Sequence, residues 1–230
     1  MYNLFQKLLA EFFGTAAVIF ITAGAICADE SLHLQAQHGL GTLGIAIATG
    51  LSYAVMITAI AHISGGHLNP AVTIGYWVTK RISTLDAITY GIAQLLGATA
   101  AAWSLSAIVS ETVWRPVGLG APDLATDFTR LHGIFLEAAV TFLLVFVIFA
   151  TAVDPRSPAK PLSGLAAGLT MTMCTLVAAP FTGAAMNPAR AFAAALIAHH
   201  WTNHGVFWVG PLVGGVIAGW LYNSFLLKEA

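Results

Sequence analysis

Two short segments place asparagine and proline side by side within a chain that is otherwise mostly apolar. They read "GGHLNPA" (65–71) and "GAAMNPA" (183–189) and contain Asn69, Pro70, Ala71 and Asn187, Pro188, Ala189. The two asparagines are 118 positions apart (187 minus 69). Asparagine is a favoured helix N-cap, and proline is tolerated in the first helical turn, whose N–H groups have no partner within the helix. Each Asn-Pro-Ala segment therefore predicts the start of a helix.

These helix starts offer both hydrogen-bond donors and acceptors. A helix N-terminus carries about half a positive charge, and each capping asparagine can present amide N–H groups. The irregular backbone before each asparagine supplies carbonyl acceptors, predicted at Gly65, Gly66, His67, Leu68, Gly183, Ala184, Ala185 and Met186. Such backbone survives at membrane depth only where it is buried in protein or lines a wet cavity. The combination favours a narrow path for water or another neutral hydroxylated molecule, because cations meet two positive ends and dehydration.

The composition indicates a membrane protein. Of the 230 residues, 58% are hydrophobic and only 8% are charged, against roughly 25% charged in soluble domains. The net charge of −1 gives no sign of a nucleic-acid partner. Cys27 and Cys174 lie in apolar runs and are interpreted as small buried hydrophobes, so neither a disulfide nor a metal site is expected. Lipid is the predicted solvent.

A bilayer-spanning helix needs about 20 mainly apolar residues. Between Glu30 and Lys80 no Asp, Glu, Lys or Arg occurs, a stretch that suits one span followed by a shorter element. Asp29 and Glu30 are expected to close the first span, and 110–130 is expected to form a long polar loop. The predicted fold is all-α, with six transmembrane helices at about 8–28, 41–62, 87–109, 132–152, 162–180 and 206–227, and two re-entrant half-helices at about 69–79 and 187–197.

The positive charges predict the orientation. One side would hold Lys7, Lys80, Arg81, Arg156, Lys160 and Lys228, and the other Arg115 and Arg130. The larger group is expected inside, so both termini are predicted to be cytoplasmic, in a plasma membrane or a bacterial inner membrane.

The two halves repeat each other. Glu11 in "AEFFGT" matches Glu137 in "LEAAVT", and "QLLG" (94–97) matches "PLVG" (211–214). Each half has three spans, an odd number, so the second copy must enter the membrane inverted. The sequence predicts one domain, 1–230, made of inverted repeats at about 1–110 and 131–230. Ionisable residues at membrane depth need partners, which makes Glu11 and Glu137 candidate functional residues.

The chain resembles the aquaporin (major intrinsic protein) family over essentially its whole length. The resemblance rests on "HISGGHLNPAVT" (62–73) and "MNPAR" (186–190), in register with both halves. It implies a homotetramer in the lipid bilayer, with a pore in each subunit, no enzymatic activity and no cofactor. It also implies that Glu11 and Glu137 brace the loops that carry the carbonyl groups.

In this family four positions set the narrowest point of the pore. Counted from the two asparagines without gaps, they correspond to Thr49, Thr175, Ala184 and Arg190. The Phe and His of water-selective members are missing, as are the large aromatics and the acidic residue after the arginine of glycerol facilitators. The resemblance therefore implies a wider, polar constriction that passes water and small neutral solutes. Metalloid hydroxides such as boric or arsenous acid, or glycerol and urea, are the alternative solutes.

Several alternatives stay open on the sequence alone. An ion-coupled secondary transporter also uses inverted repeats and broken helices, but it usually carries ion-coupling acids near the midplane. A purely structural membrane protein would need no paired half-helices, and no nucleophile–base pair or nucleotide loop indicates an enzyme. His199, His200 and His204 could hold a metal, although unpaired histidines in an exposed loop are favoured. His67 is expected to brace its loop, while pore lining and buried scaffolding are equally open for His62.

Overall fold

The computed structural model describes residues 2–227, so Lys228, which entered the orientation prediction, lies outside the described residues. Within that range the regular structure is helical and no strand occurs. The α-helices are α1 Leu4–Leu34, α2 Gly41–Ser64, α3 Pro70–Val78, α4 Thr84–Ile108, α5 Glu111–Trp114, α6 Arg130–Ile148, α7 Ser163–Thr182, α8 Pro188–Ala198 and α9 Val206–Leu221. Two π-helical turns, Phe149–Val153 and Tyr222–Leu226, extend α6 and α9.

Six of these helices are long and apolar enough to cross a membrane, which confirms the six predicted spans. One boundary prediction was wrong. Helix α1 does not close at Asp29 and Glu30 but continues to Leu34. Asp29 lies near the solvent-exposed end of the helix, where its Oδ1 accepts a hydrogen bond from the Gly41 N–H at 2.8 Å. A charge in this position is compatible with a helix that has already left the apolar layer.

The two half-helices begin where the asparagine and proline residues predicted. The side-chain Oδ1 of Asn69 accepts a hydrogen bond from the Ala71 N–H at 2.8 Å, with Pro70 in the first turn of α3. Asn187 caps α8 in the same way, accepting from Ala189 at 2.9 Å. Proline therefore interrupts no hydrogen-bond ladder in either segment, because it stands where the helix has no internal acceptor to offer.

The two halves also share their closest helix contacts. A Cβ atom added to Gly97 of α4 would overlap the carbonyl oxygen of Phe12 in α1, and one added to Gly214 of α9 would overlap that of Ala138 in α6. Both glycines therefore permit close packing at equivalent helix crossings. Small residues at such crossings let backbones approach, which is how helices associate in lipid without a hydrophobic driving force between them.

Polar contacts fasten the bundle at the face that carries the chain ends, here called the terminal face. Arg156 donates to Asp154 Oδ2 at 2.6 Å and to the Leu226 carbonyl at 2.7 Å. The Tyr222 hydroxyl also donates to Asp154, at 3.0 Å. The loop between α6 and α7 is thereby joined to the end of the last span.

A second polar cluster lies at the opposite face. Nε2 of His200 lies 2.8 Å from Asp123 Oδ2, and Asn203 bridges Asp123 and Arg130, with 2.9 Å to each. His204 accepts a hydrogen bond from the Trp208 indole at 2.9 Å. The expectation of unpaired histidines was therefore wrong for His200, which meets Asp123 of the folded-back 110–130 loop, and for His204, whose partner Trp208 lies one turn later in α9.

That loop is more ordered than its polar composition predicted. It contains the short helix α5 and a 3-10 turn, Gly118–Gly120, and it buries Trp114 and Leu119. The Ala125 N–H donates to the Phe181 carbonyl at 2.9 Å, which fixes the loop to the end of α7. The loop consequently reaches the second Asn-Pro-Ala segment.

Candidate functional site

A buried glutamate holds each of the two loops that precede the half-helices. Glu11 is fully buried, and its Oε1 accepts from the His67 N–H at 2.9 Å while its Oε2 accepts from the Leu68 N–H at 2.7 Å. The Ser64 hydroxyl and the Gln94 amide donate to the same carboxylate at 2.6 and 2.7 Å. Every partner is a donor, which suits a carboxylate whose two oxygens both accept.

Glu137 repeats this arrangement in the second half. It accepts from the Ala185 N–H at 2.9 Å, from the Met186 N–H at 2.7 Å and from the Thr182 hydroxyl at 2.6 Å. Gln94 has no counterpart here, because the matching position in "PLVG" is Pro211, which offers no side-chain donor. Both carboxylates thus accept hydrogen bonds from the backbone of their loops, which is the arrangement that the predicted bracing role requires.

The two asparagine side chains tie the loops to each other. Nδ2 of Asn69 donates to the Met186 carbonyl at 2.8 Å, and Nδ2 of Asn187 donates to the Leu68 carbonyl at 2.9 Å. Each Nδ2 carries two N–H groups. One amide hydrogen of each asparagine is used in this crossed pair, and one remains for another acceptor.

The eight predicted acceptor carbonyls divide into two groups. Four receive a donor from the protein: Leu68 and Met186 from the asparagines, His67 from the Tyr53 hydroxyl at 3.1 Å, and Gly183 from Arg190 Nη2 at 3.0 Å. The carbonyls of Gly65, Gly66, Ala184 and Ala185 receive no hydrogen bond from residues 2–227. These four have the most capacity left for a solute.

All four predicted constriction residues line one cavity of about 330 Å³ near the face opposite the chain ends. Thr49, Thr175 and Arg190 are at most 8% exposed, and Ala184 is buried beside them. The Thr49 hydroxyl donates to the Ile45 carbonyl at 2.8 Å, whereas the Thr175 hydroxyl has no partner among the described residues. The structure brings these side chains together; their role in selectivity stays a prediction.

The cavity wall also includes residues that the sequence did not single out. Thr22 of α1 and Val117, Gly120 and Ala121 of the long loop belong to it. Thr22 stands in the apolar run "AVIFITAGAIC" and no motif marks it. The loop residues looked like surface, because only the three-dimensional fold brings 110–130 back over the cavity.

Buried polar atoms without a partner are concentrated at this cavity. Within residues 2–227 six buried side-chain atoms lack a hydrogen bond, and three of them, Thr22 Oγ1, Thr175 Oγ1 and Arg190 Nη1, belong to its wall. An unmade hydrogen bond of this kind is costly, so such groups are usually satisfied by water or a ligand. The cavity is therefore suited to a polar guest.

A smaller cavity, of about 20 Å³, lies on the other side of the crossed asparagines. Gly65, Gly66, Val72 and Ile148 contribute to its wall. His67 does not line it, but is buried with Nδ1 3.2 Å from the Thr73 hydroxyl, which fits the expected bracing of the loop. His62 was expected either to line the pore or to be buried; instead it is exposed and packs edge-on against Tyr2.

Comparison with known proteins gives a consistent result. The family model described as "Major intrinsic protein" matches residues 1–222. The chain is 39% identical to probable aquaporin TIP3-2 of Arabidopsis thaliana, covering 96% of this chain and 84% of the relative, and 44% identical to aquaporin TIP4-1 of Zea mays, covering 97% and 87%. The solved aquaglyceroporin of Plasmodium falciparum has the same fold, with a TM-score of 0.83, 21% identity and 97% of each chain covered.

Proposed function

The chain belongs to the major intrinsic protein family, and on that premise we propose that it is a passive channel for water and small neutral solutes that excludes ions and protons. The observation that carries the proposal is the cavity of about 330 Å³, whose wall holds polar atoms with capacity for a guest: the Thr175 hydroxyl has no protein partner within residues 2–227, and Thr49 and Arg190 lie in the same wall. Water or a hydroxylated solute satisfies such atoms, whereas an apolar guest leaves them unpaired.

The proposed exclusion of ions rests on fixed positive charge. Two half-helices, α3 and α8, start at the crossed asparagines, and each N-terminus carries about half a positive charge. Arg190 adds a full charge beside the cavity, held by the Gly183 carbonyl at 3.0 Å. A cation would face this field while losing its hydration, and a neutral solute would not.

The proposed solute range rests on side-chain size. Thr49, Thr175 and Ala184 occupy positions where an aromatic ring would narrow the passage. Glycerol, urea and metalloid hydroxides such as boric acid are therefore proposed to pass beside water. We place the crossed asparagines at the centre of the path, with the free carbonyls of Gly65 and Gly66 on one side and those of Ala184 and Ala185 on the other.

The chain is an integral membrane protein with several spans. We propose that 1–230 forms one channel domain from two inverted repeats, that four copies assemble as the family resemblance implies, and that the terminal face is cytoplasmic. Lys80, Arg81, Arg156 and Lys160 support that orientation, because they belong to loops of the terminal face.

Flux measurements on the reconstituted protein test the proposal. Proteoliposomes are exposed to an osmotic gradient in a stopped-flow instrument, first with an impermeant osmolyte and then with glycerol, urea or boric acid. A pH-sensitive dye in the lumen reports proton leakage. We expect water and solute fluxes that rise linearly with concentration, above those of empty liposomes, with no added proton leakage. Saturable flux that depends on a proton or sodium gradient would instead establish a coupled transporter.

A further inference from the structure

The first span contains two buried threonines, Thr15 and Thr22, and the repeat between the two halves distinguishes them. Thr15 has an exact repeat partner, Thr141, at the same offset of 126 that relates Glu11 to Glu137 (141 minus 15, and 137 minus 11). Neither Thr15 nor Thr141 has a side-chain hydrogen bond. At the same offset Thr22 corresponds to Ile148 (148 minus 22), so its hydroxyl is not part of the repeated framework.

Arg190 also lacks an equivalent residue in the other half. It stands three residues after Asn187, where the first half has Val72 three residues after Asn69. Val72 and Ile148 line the small cavity of about 20 Å³ on the terminal side of the asparagines. An apolar pair in one half is thus matched by a polar pair, Arg190 and Thr22, in the other. Both positions differ between the halves in the same way, apolar in one and polar in the other, which points to a shared role.

The polar pair also lines a second, smaller cavity. Thr22 and Arg190 contribute to this cavity of about 10 Å³, and the rest of its wall is Leu119, Gly120 and apolar side chains of α1, α4 and α8. Thr22 is 3% exposed and Arg190 is 8% exposed. Arg190 Nη2 donates to the Gly183 carbonyl at 3.0 Å, but Nη1 and the Thr22 hydroxyl have no partner within residues 2–227 and do not bond each other.

We propose that Thr22 is a positioning residue for Arg190, acting through one buried water molecule in this cavity. The water accepts a hydrogen bond from Nη1 and donates one to Thr22 Oγ1. A cavity of about 10 Å³ is just large enough to hold one water molecule, and buried waters are found where otherwise unsatisfied polar groups converge. This proposal rests on the proposed function, because Thr22 is argued to position Arg190, the residue that is proposed to set the constriction.

The bridge fixes the guanidinium from two sides. The Gly183 carbonyl holds Nη2 at the edge of the large cavity, and the water with Thr22 holds Nη1 against the wall. Without the Thr22 hydroxyl the small cavity becomes apolar around Nη1, and a charged N–H group left there is strongly unfavourable. The guanidinium then moves toward the water-filled side, into the path of the solute. A solute larger than water is obstructed first.

The test compares Thr22→Val with Thr22→Ser and with the matched control Thr15→Val. Thr15 lies on the same helix and also has a buried, unbonded hydroxyl, but it does not line either cavity at Arg190. We expect Thr22→Val to lower the glycerol-to-water permeability ratio about tenfold, the change that corresponds to losing one hydrogen bond to a charged group. Thr22→Ser and Thr15→Val should keep the ratio of the parent.

A crystallographic or cryo-electron microscopic map that resolves ordered water gives an independent readout. We expect a peak within hydrogen-bond reach of both Thr22 Oγ1 and Arg190 Nη1 in the parent and in Thr22→Ser, and none in Thr22→Val. A parent map without that peak overturns the proposal, and so does a Thr22→Val ratio equal to that of Thr15→Val. If the parent passes water alone, the proposed solute range is wrong. The water bridge between Thr22 and Arg190 is then tested by the map and by water flux, which should be lower in Thr22→Val than in Thr15→Val.

Discussion

Replacing the buried glutamates with glutamine tests how the two loops are held. Each carboxylate uses both oxygens to accept from two consecutive backbone N–H groups, His67 and Leu68 for Glu11, and Ala185 and Met186 for Glu137. Glutamine has the same shape but only one oxygen. Its NH₂ group must therefore point at one of the two backbone N–H groups, and neither of these can turn round.

The magnitude follows from the bonds that are lost. A hydrogen bond to a charged group contributes about 1.5–3 kcal/mol. The Ser64 and Thr182 hydroxyls can rotate to accept from the new NH₂ group, so one backbone bond is the minimum loss in each half. We expect Glu11→Gln and Glu137→Gln each to lower the free energy of unfolding by about 1.5–3 kcal/mol. Both sites are fully buried, so solvent does not screen the effect.

The crossed asparagines also predict that the two substitutions are coupled. The Leu68 N–H donates to Glu11 and the Leu68 carbonyl accepts from Asn187. In the same way, the Met186 N–H donates to Glu137 and the Met186 carbonyl accepts from Asn69. Once one loop is loosened, the other loses part of its support. The double variant should therefore be less destabilised than the sum of the single variants, by at least about 0.5 kcal/mol.

These differences are measured by unfolding each variant in the same detergent with heat or with denaturant. Tryptophan fluorescence monitors the unfolding. Glu30→Gln is the control, because Glu30 lies near the exposed end of the same helix; its effect should stay within about 0.5 kcal/mol. If Glu11→Gln or Glu137→Gln also stays within that range, the carboxylates do not brace the loops. Strict additivity in the double variant would refute the connection through the asparagines.

Three further variants test the pore and the terminal face. Thr49→Phe with Thr175→His should reduce glycerol, urea or boric acid flux about tenfold more than water flux, a barrier difference of about 1.4 kcal/mol, and equal losses would contradict the filter assignment. Arg190→Val should keep or raise neutral flux and add measurable cation or proton leakage; an unchanged ion barrier and solute ranking would exclude Arg190 from the filter. Hydrogen bonds from Arg156 hold the pKa of Asp154 well below its ordinary value, so its stabilising effect is complete above about pH 4 and lost below it. Asp154→Asn should therefore unfold at a lower temperature than the parent at pH 7, and the gap should narrow as the pH falls below about 4.

The sequence predicted most of the framework because the framework obeys local rules. Asparagine before proline specifies a capped helix start, and the half-helices begin at Pro70 and Pro188. The repeat then pairs Gly97 with Gly214 at equivalent helix crossings. Periodic and repeated features of this kind need no knowledge of what lies across the bundle.

Features that depend on contacts between distant segments escaped prediction. His200 finds Asp123 only because the 110–130 loop folds back across the opposite face. The same fold brings Gly120 to the cavity wall that Thr22 also lines. The repeat distinguishes Thr22 from Thr15, because only Thr15 has a threonine partner in the other half, but the sequence does not show that the Thr22 side chain lies beside a cavity with Arg190. The identity of a loop partner is a tertiary property, and a single sequence does not contain it.

The departures from symmetry explain why the proposed path has one charged constriction rather than two. The glutamates, the asparagines and the glycines at the helix crossings occur in both halves, because each loop and each crossing makes its own set of contacts. Arg190 occurs in one half only, with Val72 in its place in the other. A second arginine at position 72 would add another buried charge, without a threonine to hold it, since Ile148 stands where Thr22 would be needed. In the proposed channel a neutral solute then exchanges its hydration for protein hydrogen bonds beside a fixed charge only once, which would keep its barrier low. We propose that this single charge is sufficient to repel a cation.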